Sequence, residues 1–145
     1  MIIGHAHTAF TATNMDRSLQ FYCDALGLAH AFSVKNEQGE PWIEYVKIAP
    51  KQYIELFHPT STSNQQQTTD AHLTPGDPAK SQGFHHICLL VDDIQYVAAT
   101  LAEKDIPIDV APKRGIGKNW QMWTHDPDGN KIEFIQPDDD SEHAK

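Results

Sequence analysis

Short runs of alternating apolar and polar residues dominate the first 57 positions of this chain, interrupted once by a helical spacing. From about residue 3 to 13, one side carries His5, His7, Ala9 and Thr11 and the other Thr8, Phe10 and Ala12, the two-residue period of a strand. Asn14 or Asp16 can then cap a helix, because their side chains accept from the free N–H groups of a first turn. Leu19, Tyr22 and Leu26 recur at helical spacing, joined by Phe21 and Ala25, and Gly27 stands where a helix would stop. Extended runs near 29–35 and 42–48 flank a turn at Asn36-Glu37-Gln38-Gly39-Glu40-Pro41, and Tyr53-Ile54-Glu55-Leu56-Phe57 adds a further strand. The order predicted is β-α-β-β-β.

Periodicity then lapses. Residues from about 58 to 83 are Ser, Thr, Gln, Asn, Pro and Gly in the main, the composition of a flexible connector, with a substrate lid as the alternative. The alternation resumes at Phe84 to Val91. Asp92 or Asp93 caps a helix in which Ile94, Val97, Ala98 and Leu101 follow the i, i+3, i+4, i+7 rule. Ile106 to Val110 and Trp120 to Thr124 read as strands. Asp126-Pro127-Asp128-Gly129 supplies a proline-set φ and a glycine for a tight turn into Lys131-Ile132-Glu133-Phe134-Ile135. The charged stretch Pro137 to Lys145 reads as a disordered tail. The whole is an α+β chain, one domain over 1–145, made of two βαβββ modules at about 3–57 and about 84–136.

The two modules also share a misplaced charge. Glu55 and Glu133 each interrupt an apolar strand, where a carboxylate is costly unless it is paired or bound to a metal. Upstream lie two histidine strands, His7-Thr8-Ala9-Phe10 and His86-Ile87-Cys88-Leu89. From His7 to Glu55 is 48 positions and from His86 to Glu133 is 47, so a module of about 50 residues is repeated. Strand parity puts Ile54, Leu56, Ile87, Leu89, Ile132 and Phe134 on the side that packs under helices. It puts His7, Glu55, His86 and Glu133 on the opposite side.

Two imidazoles and two carboxylates suit a divalent ion, which relieves the repulsion between the carboxylates. Such donors accommodate Zn²⁺, Ni²⁺, Co²⁺, Mn²⁺ or Fe²⁺, and affinity order does not choose among them. Four protein ligands on an octahedral ion leave two adjacent positions, a Lewis-acid site suited to a carbonyl and its enediolate. His5 shares a face with His7 and rivals it as a ligand, whereas His85 alternates with His86 and should face the helices. His30, His58, His72, His125 and His143 have no matching partner in the repeat and read as solvated.

Hydrophobic content of 39% and charged content of 21% are those of a globular chain with a core of its own. The net charge of −9 argues against nucleic acid or an anionic membrane as partner. With no run of about 18 apolar residues and no basic leader, the expected location is the cytoplasm. Cys23 and Cys88 form no CxxC pair, and Cys88, in an apolar strand, reads as a small core residue.

His-Thr-Ala-Phe, Asp-Arg-Ser-Leu-Gln-Phe-Tyr-Cys-Asp-Ala-Leu-Gly-Leu, Tyr-Ile-Glu-Leu-Phe, His-His-Ile-Cys-Leu-Leu-Val-Asp-Asp-Ile and Asp-Pro-Asp-Gly-Asn-Lys-Ile-Glu-Phe-Ile together resemble the vicinal oxygen chelate superfamily. The likeness is greatest to glyoxalase I and the glyoxalase/bleomycin-resistance/dioxygenase group. It covers about residues 5–136 apart from the polar connector. It implies paired βαβββ modules with cupped mixed sheets and one divalent metal held by His7, Glu55, His86 and Glu133. It further implies Glu133 and Glu55 as catalytic residues, with Glu133 the base of a glyoxalase I-like lyase or isomerase acting on a small carbonyl or thiohemiacetal through a metal-bound enediolate. A homodimer with a shared site is implied as well.

Where glyoxalase I carries an arginine four residues after its first histidine, this chain has Thr11. Lys113, Arg114 and Lys118 around the Gly115–Gly117 loop, with Trp120, are the alternative contacts for a small-molecule substrate. The other readings the resemblance allows are a methylmalonyl-CoA epimerase, for Gly-Phe-His-His-Ile, and an extradiol dioxygenase. A metal-free drug-binding protein of the bleomycin-resistance type is the third.

Overall fold

The computed structural model describes residue 1 and residues 4–59 and 85–144. The polar connector from residue 60 on, its lid alternative, His72 and the starts of the two histidine strands at residue 3 and Phe84 lie outside the described residues. Two four-stranded mixed sheets form the frame. In the first, β1 (His7–Thr11), β2 (Ala29–Lys35), β3 (Pro41–Ala49) and β4 (Gln52–Phe57) are ordered β1-β4-β3-β2. In the second, β5 (Ile87–Leu90), β6 (Ile108–Arg114), β7 (Asn119–His125) and β8 (Lys131–Pro137) are ordered β5-β8-β7-β6. Each sheet pairs its histidine strand parallel to its glutamate strand, β1 with β4 and β5 with β8, and its remaining described ladders are antiparallel.

Register decides which side chains share a face. In the first sheet Thr8 lies opposite Ile54 and Phe10 opposite Leu56, with Val46 opposite Ile54 on the far side. Val46, Ile54 and Leu56 are fully buried and Phe10 nearly so. In the second, Ile87 and Leu89 face Ile132 and Phe134, and Met122 lies opposite Phe134. Burying each such aliphatic side chain contributes about 1.5–3 kcal/mol relative to exposure. The strands are therefore held in the one register that keeps these residues inside. A slip by one position would bring Glu55 and Glu133 to the packed face instead.

The chain separates into two compact units, Met1–Met15 with His30–His85, and Asp16–Ala29 with His86–Lys145. The second unit thus holds the helical segment that follows β1. Its α1 (Met15–Leu19) runs into a π-helical stretch, Gln20–Ala25, where the sequence spacing predicts one continuous α-helix. The wider turn is visible in Leu26 N–H donating to the Phe21 carbonyl at 3.0 Å, five residues back. Gly27 follows with φ of +70°, a conformation glycine adopts without the Cβ penalty. This segment is tied to the β7–β8 turn by Tyr22, whose hydroxyl donates to Asp126 Oδ2 at 2.8 Å, and by Ser18, which donates to Asp128 at 3.2 Å. Burial and then the Asp126 charge push the Tyr22 phenol far up, so it serves as a permanent donor.

Asp126 is also the centre of the predicted turn. Its side chain accepts from the backbone N–H of Asp128 and of Asn130, each at 2.9 Å, while Gly129 takes φ of +84°. The second helix, α2 (Ile94–Glu103), packs on β6, β7 and β8 through Ile94 and Leu101, both buried. Its cap is Asp93, accepting from Tyr96 N–H at 2.9 Å. No helix among the described residues is long and apolar enough to cross a membrane.

The tail read as disordered is placed on the second sheet over residues 138–144. Asp138 N–H donates to the Lys118 carbonyl at 3.1 Å, and buried Ser141 donates to Asn119 Oδ1 at 2.5 Å. A 3₁₀ turn, Glu142–Ala144, ends it. Composition gives no sign of this, because the docking rests on a few hydrogen bonds rather than on apolar periodicity.

Candidate metal centre

In the first sheet, the antiparallel β3–β4 ladder sets Tyr45 directly opposite Glu55, and the parallel β1–β4 ladder sets His7 opposite Tyr53. All four therefore share the face turned away from Ile54 and Leu56. His7 Nε2 lies 3.3 Å from Glu55 Oε2, and the Tyr45 hydroxyl donates to Glu55 Oε1. The Glu55 side chain is 9% exposed and that of His7 is 46% exposed, so the carboxylate sits deep and the imidazole opens to solvent. Burial and then the Glu55 charge push the Tyr45 phenol up to about 12. Phe32 stacks on the Tyr45 ring at 4.3 Å, and Tyr53 meets both rings edge-on at 5.8 and 6.0 Å.

The second sheet repeats the design. Glu133 lies between Trp123 on β7 and Cys88 on β5, and His86 shares the parity of Cys88. His86 Nε2 is 3.1 Å from Glu133 Oε2, and the His86 ring stands edge-on to Trp123 at 4.7 Å. Cys88, read from the sequence as a core residue, is instead exposed and on this polar face. Desolvation of the thiol, then the charge and hydrogen bond of Glu133, push it up to about 12, so the sulfur stays protonated beside the carboxylate. Parity alone would have found this, since Cys88 is two residues from His86.

The four predicted ligands are thus brought together as two His–Glu pairs, one on each sheet. Two ligands bound about 2.1 Å from one ion and roughly 90–110° apart lie about 3.0–3.4 Å from each other. The separations of 3.3 and 3.1 Å match that spacing, and the donor types suit a divalent transition ion. Each pair offers two donors. Among the described residues there is no group of three or more His, Cys, Asp or Glu able to hold a metal ion by itself. His5 is exposed and lies 3.4 Å from Thr8 Oγ1, and His85 is exposed as well.

Several histidines read as solvated have carboxylate partners. His30 Nε2 and His58 Nε2 lie 2.6 and 3.2 Å from the two oxygens of Glu44, which also accepts from Ser33. Burial works against the Glu44 charge, but these hydrogen bonds outweigh it and hold its pKa below the usual carboxylate range. His125 pairs with Asp109 at 2.9 Å, and His143 Nδ1 is 3.1 Å from the Asn119 side-chain amide. The signal was absent from the sequence because every one of these contacts joins residues 11 or more positions apart.

Of the predicted substrate contacts, Arg114, Lys118 and Trp120 fall elsewhere, whereas Lys113 lies opposite Gln121 and so on the face of the second sheet that carries Trp123 and Glu133. Arg114 pairs with Asp138 at 2.6 Å and Lys118 with Asp140 at 2.8 Å, so both direct their charge at the chain's own tail. Lys113 is exposed beside them, opposite Gln121. Trp120 lies opposite Gln136, on the face of β7 away from Trp123 and Glu133, in a cavity it shares with Asp93, Ile94 and Gln95.

The profile of the Glyoxalase/Bleomycin resistance protein/Dioxygenase superfamily matches residues 4–134. The chain belongs to this superfamily. A superfamily relative from Synechocystis sp., a probable lactoylglutathione lyase, is 30% identical over 135 residues, which is 90% of this chain and 92% of that protein. The mitochondrial methylmalonyl-CoA epimerase of Dictyostelium discoideum is 29% identical over 110 residues, 75% of this chain and 62% of that protein. An antibiotic binding protein from a Streptomyces species superposes with a TM-score of 0.68 at 19% identity, over 94% of this chain and 98% of that one, and shares the fold. The superfamily assignment accords with the two mixed sheets and their matched ladders.

Proposed function

We propose that the protein is a metal-dependent, glyoxalase-like lyase or isomerase acting on a small α-hydroxycarbonyl or thiohemiacetal. The observation that carries this reading is the repeated His–Glu pair, His7–Glu55 at 3.3 Å and His86–Glu133 at 3.1 Å, on the non-core face of each sheet. These four residues would hold one divalent ion, and a homodimer is the expected assembly in which their donors meet. The ion, when bound, supplies a Lewis acid that polarises the substrate carbonyl.

The chain's own part is proton movement. Glu133 would take the proton from the carbon next to the carbonyl and return it to the neighbouring carbon. An acceptor of this kind must keep its charge and reach the substrate. His7 and His86 would each hold their neighbouring carboxylate by one oxygen. Thr11 leaves β1 without a cationic side chain four residues after His7, and Arg114 and Lys118 are engaged by Asp138 and Asp140. Among the predicted contacts this leaves the exposed Lys113 as the one cation for a glutathione carboxylate, which favours a smaller thiol adduct.

The test is elemental analysis of the purified protein, then turnover of the hemithioacetals of methylglyoxal with glutathione and with a small thiol. Near-stoichiometric transition metal and thioester formation are the expected results. Turnover of an acyl-CoA epimer alone, or of catechol alone, would move the protein to another reaction of the superfamily. Absence of metal binding would leave a small-molecule binder.

A further inference from the structure

The repeat reaches one residue further than the ligands. Tyr45 and Glu55 are 10 positions apart and cross-strand neighbours, and Trp123 and Glu133 are 10 positions apart and cross-strand neighbours. Each aromatic ring also stands edge-on to its module's histidine, Tyr45 to His7 at 6.4 Å and Trp123 to His86 at 4.7 Å. One aromatic residue thus neighbours both members of each His–Glu pair. The modules differ in what that residue and its neighbours offer the carboxylate. Glu55 receives a phenol O–H on the oxygen that does not face His7. Its parallel-strand neighbour Ala9 has no donor, whereas the equivalent neighbour of Glu133 is Cys88, whose thiol is a weak one.

We propose that Tyr45 is a positioning residue that locks Glu55 in one ligating orientation and thereby makes the two glutamates inequivalent. Glu55, tied at both oxygens, stays fixed, with Oε2 presented beside His7 Nε2. Glu133 has His86 on one side and, in place of a phenol, the weaker thiol donor of Cys88 on the other. Tyr45 is itself well placed to hold an orientation. Phe32 covers its face and Tyr53 abuts its edge, so the ring has little room to swing and its hydroxyl is delivered to Glu55 at small entropic cost. This inference rests on the metal-centre reading above.

The experiment is Co²⁺ titration of chelator-treated full-length protein, read by calorimetry and by the visible absorption of the bound ion. Wild type, Tyr45→Phe and Tyr45→Trp are compared, the last copying what the second module carries at this place. Both variants should bind Co²⁺ about 10–100-fold more weakly and with an altered absorption spectrum, the usual effect of removing an outer hydrogen bond to a ligand. Metal-free Tyr45→Phe should melt with wild type, since the ring is kept. A double-mutant cycle with Glu55→Gln should show coupling, and one with Glu133→Gln none. If wild type binds Co²⁺ and both variants match its affinity and spectrum, Tyr45 has no positioning role and the metal reading survives. If wild type itself takes up no Co²⁺, Zn²⁺ or Ni²⁺, the metal reading falls and this inference falls with it.

Discussion

A carboxylate in a strand can be an ion-pair partner, a ligand or a base, and Glu44, Glu55 and Glu133, which meet histidines among the described residues, separate by their donors. Glu44 is ringed by His30, His58 and Ser33, all of which stabilise its charge, and its pKa is lowered in consequence. A folded-state pKa below the unfolded value gives stability that is present above the unfolded pKa and lost as pH falls through the folded one. The melting temperature of wild type should therefore exceed that of Glu44→Gln near neutral pH, and the gap should close as the solution is taken into the acid carboxylate range. A gap independent of pH would deny Glu44 its charged role. Glu133 is predicted to behave differently. Glu133→Gln should leave the melting temperature of the metal-free protein within a few degrees of wild type while lowering kcat by about 10²–10⁴-fold, the usual worth of a general base. Unchanged kcat with full metal occupancy would remove it from the proton path.

At the scale of elements, strand parity carried most of the information. An alternation of two is rigid enough that the face of every predicted ligand can be read from residue numbers; the ladders place His7, Glu55 and Glu133 on that face, and His86, one residue before β5, lies 3.1 Å from Glu133. The same parity, applied to Cys88 and Tyr45, locates two residues that apolar composition alone assigned to the interior or passed over. What parity cannot supply is the partner across a long loop. The grip of His30 and His58 on Glu44, the tail against Lys118, and Asp126 as a hub all need contacts that local pattern does not encode. The π-helical stretch was also illegible, because Phe21, Tyr22 and Ala25 satisfy an α-helical spacing equally well. Asp126 gives the sharpest element-scale prediction. It is 2% exposed and accepts from two backbone N–H groups, the Asn130 amide and the Tyr22 hydroxyl. Asp126→Ala would strand several buried donors, each costing about 1–3 kcal/mol, so a loss of roughly 3–5 kcal/mol is expected. Tyr22→Phe removes one of those bonds and should cost about 1 kcal/mol. Urea unfolding of the two variants checks the order, and an equal loss in both would show that the Tyr22 bond alone, and not the turn's bonds to Asp126, carries its stabilisation.

At the scale of the molecule, the metal centre proposed above needs two donors on each sheet to serve one ion. Each sheet alone supplies an imidazole and a carboxylate, which is too few for tight binding of a divalent transition metal and leaves too little charge neutralised. Pooling pairs across a two-fold axis would give each site one pair from either protomer and make activity a property of the dimer. Subunit mixing tests this directly. One variant, His7→Ala with Glu55→Ala, lacks the first pair, and the other, His86→Ala with Glu133→Ala, lacks the second. Each alone should bind no metal tightly and turn over nothing. After unfolding and refolding an equimolar mixture, half of the dimers are mixed, and a mixed dimer with a shared site rebuilds one intact set of four ligands out of two. About a quarter of the wild-type metal content and turnover should then return. A site built within one chain restores nothing, since every chain in the mixture lacks a pair, and zero recovery from a mixture shown to contain mixed dimers would place all four donors in a single protomer.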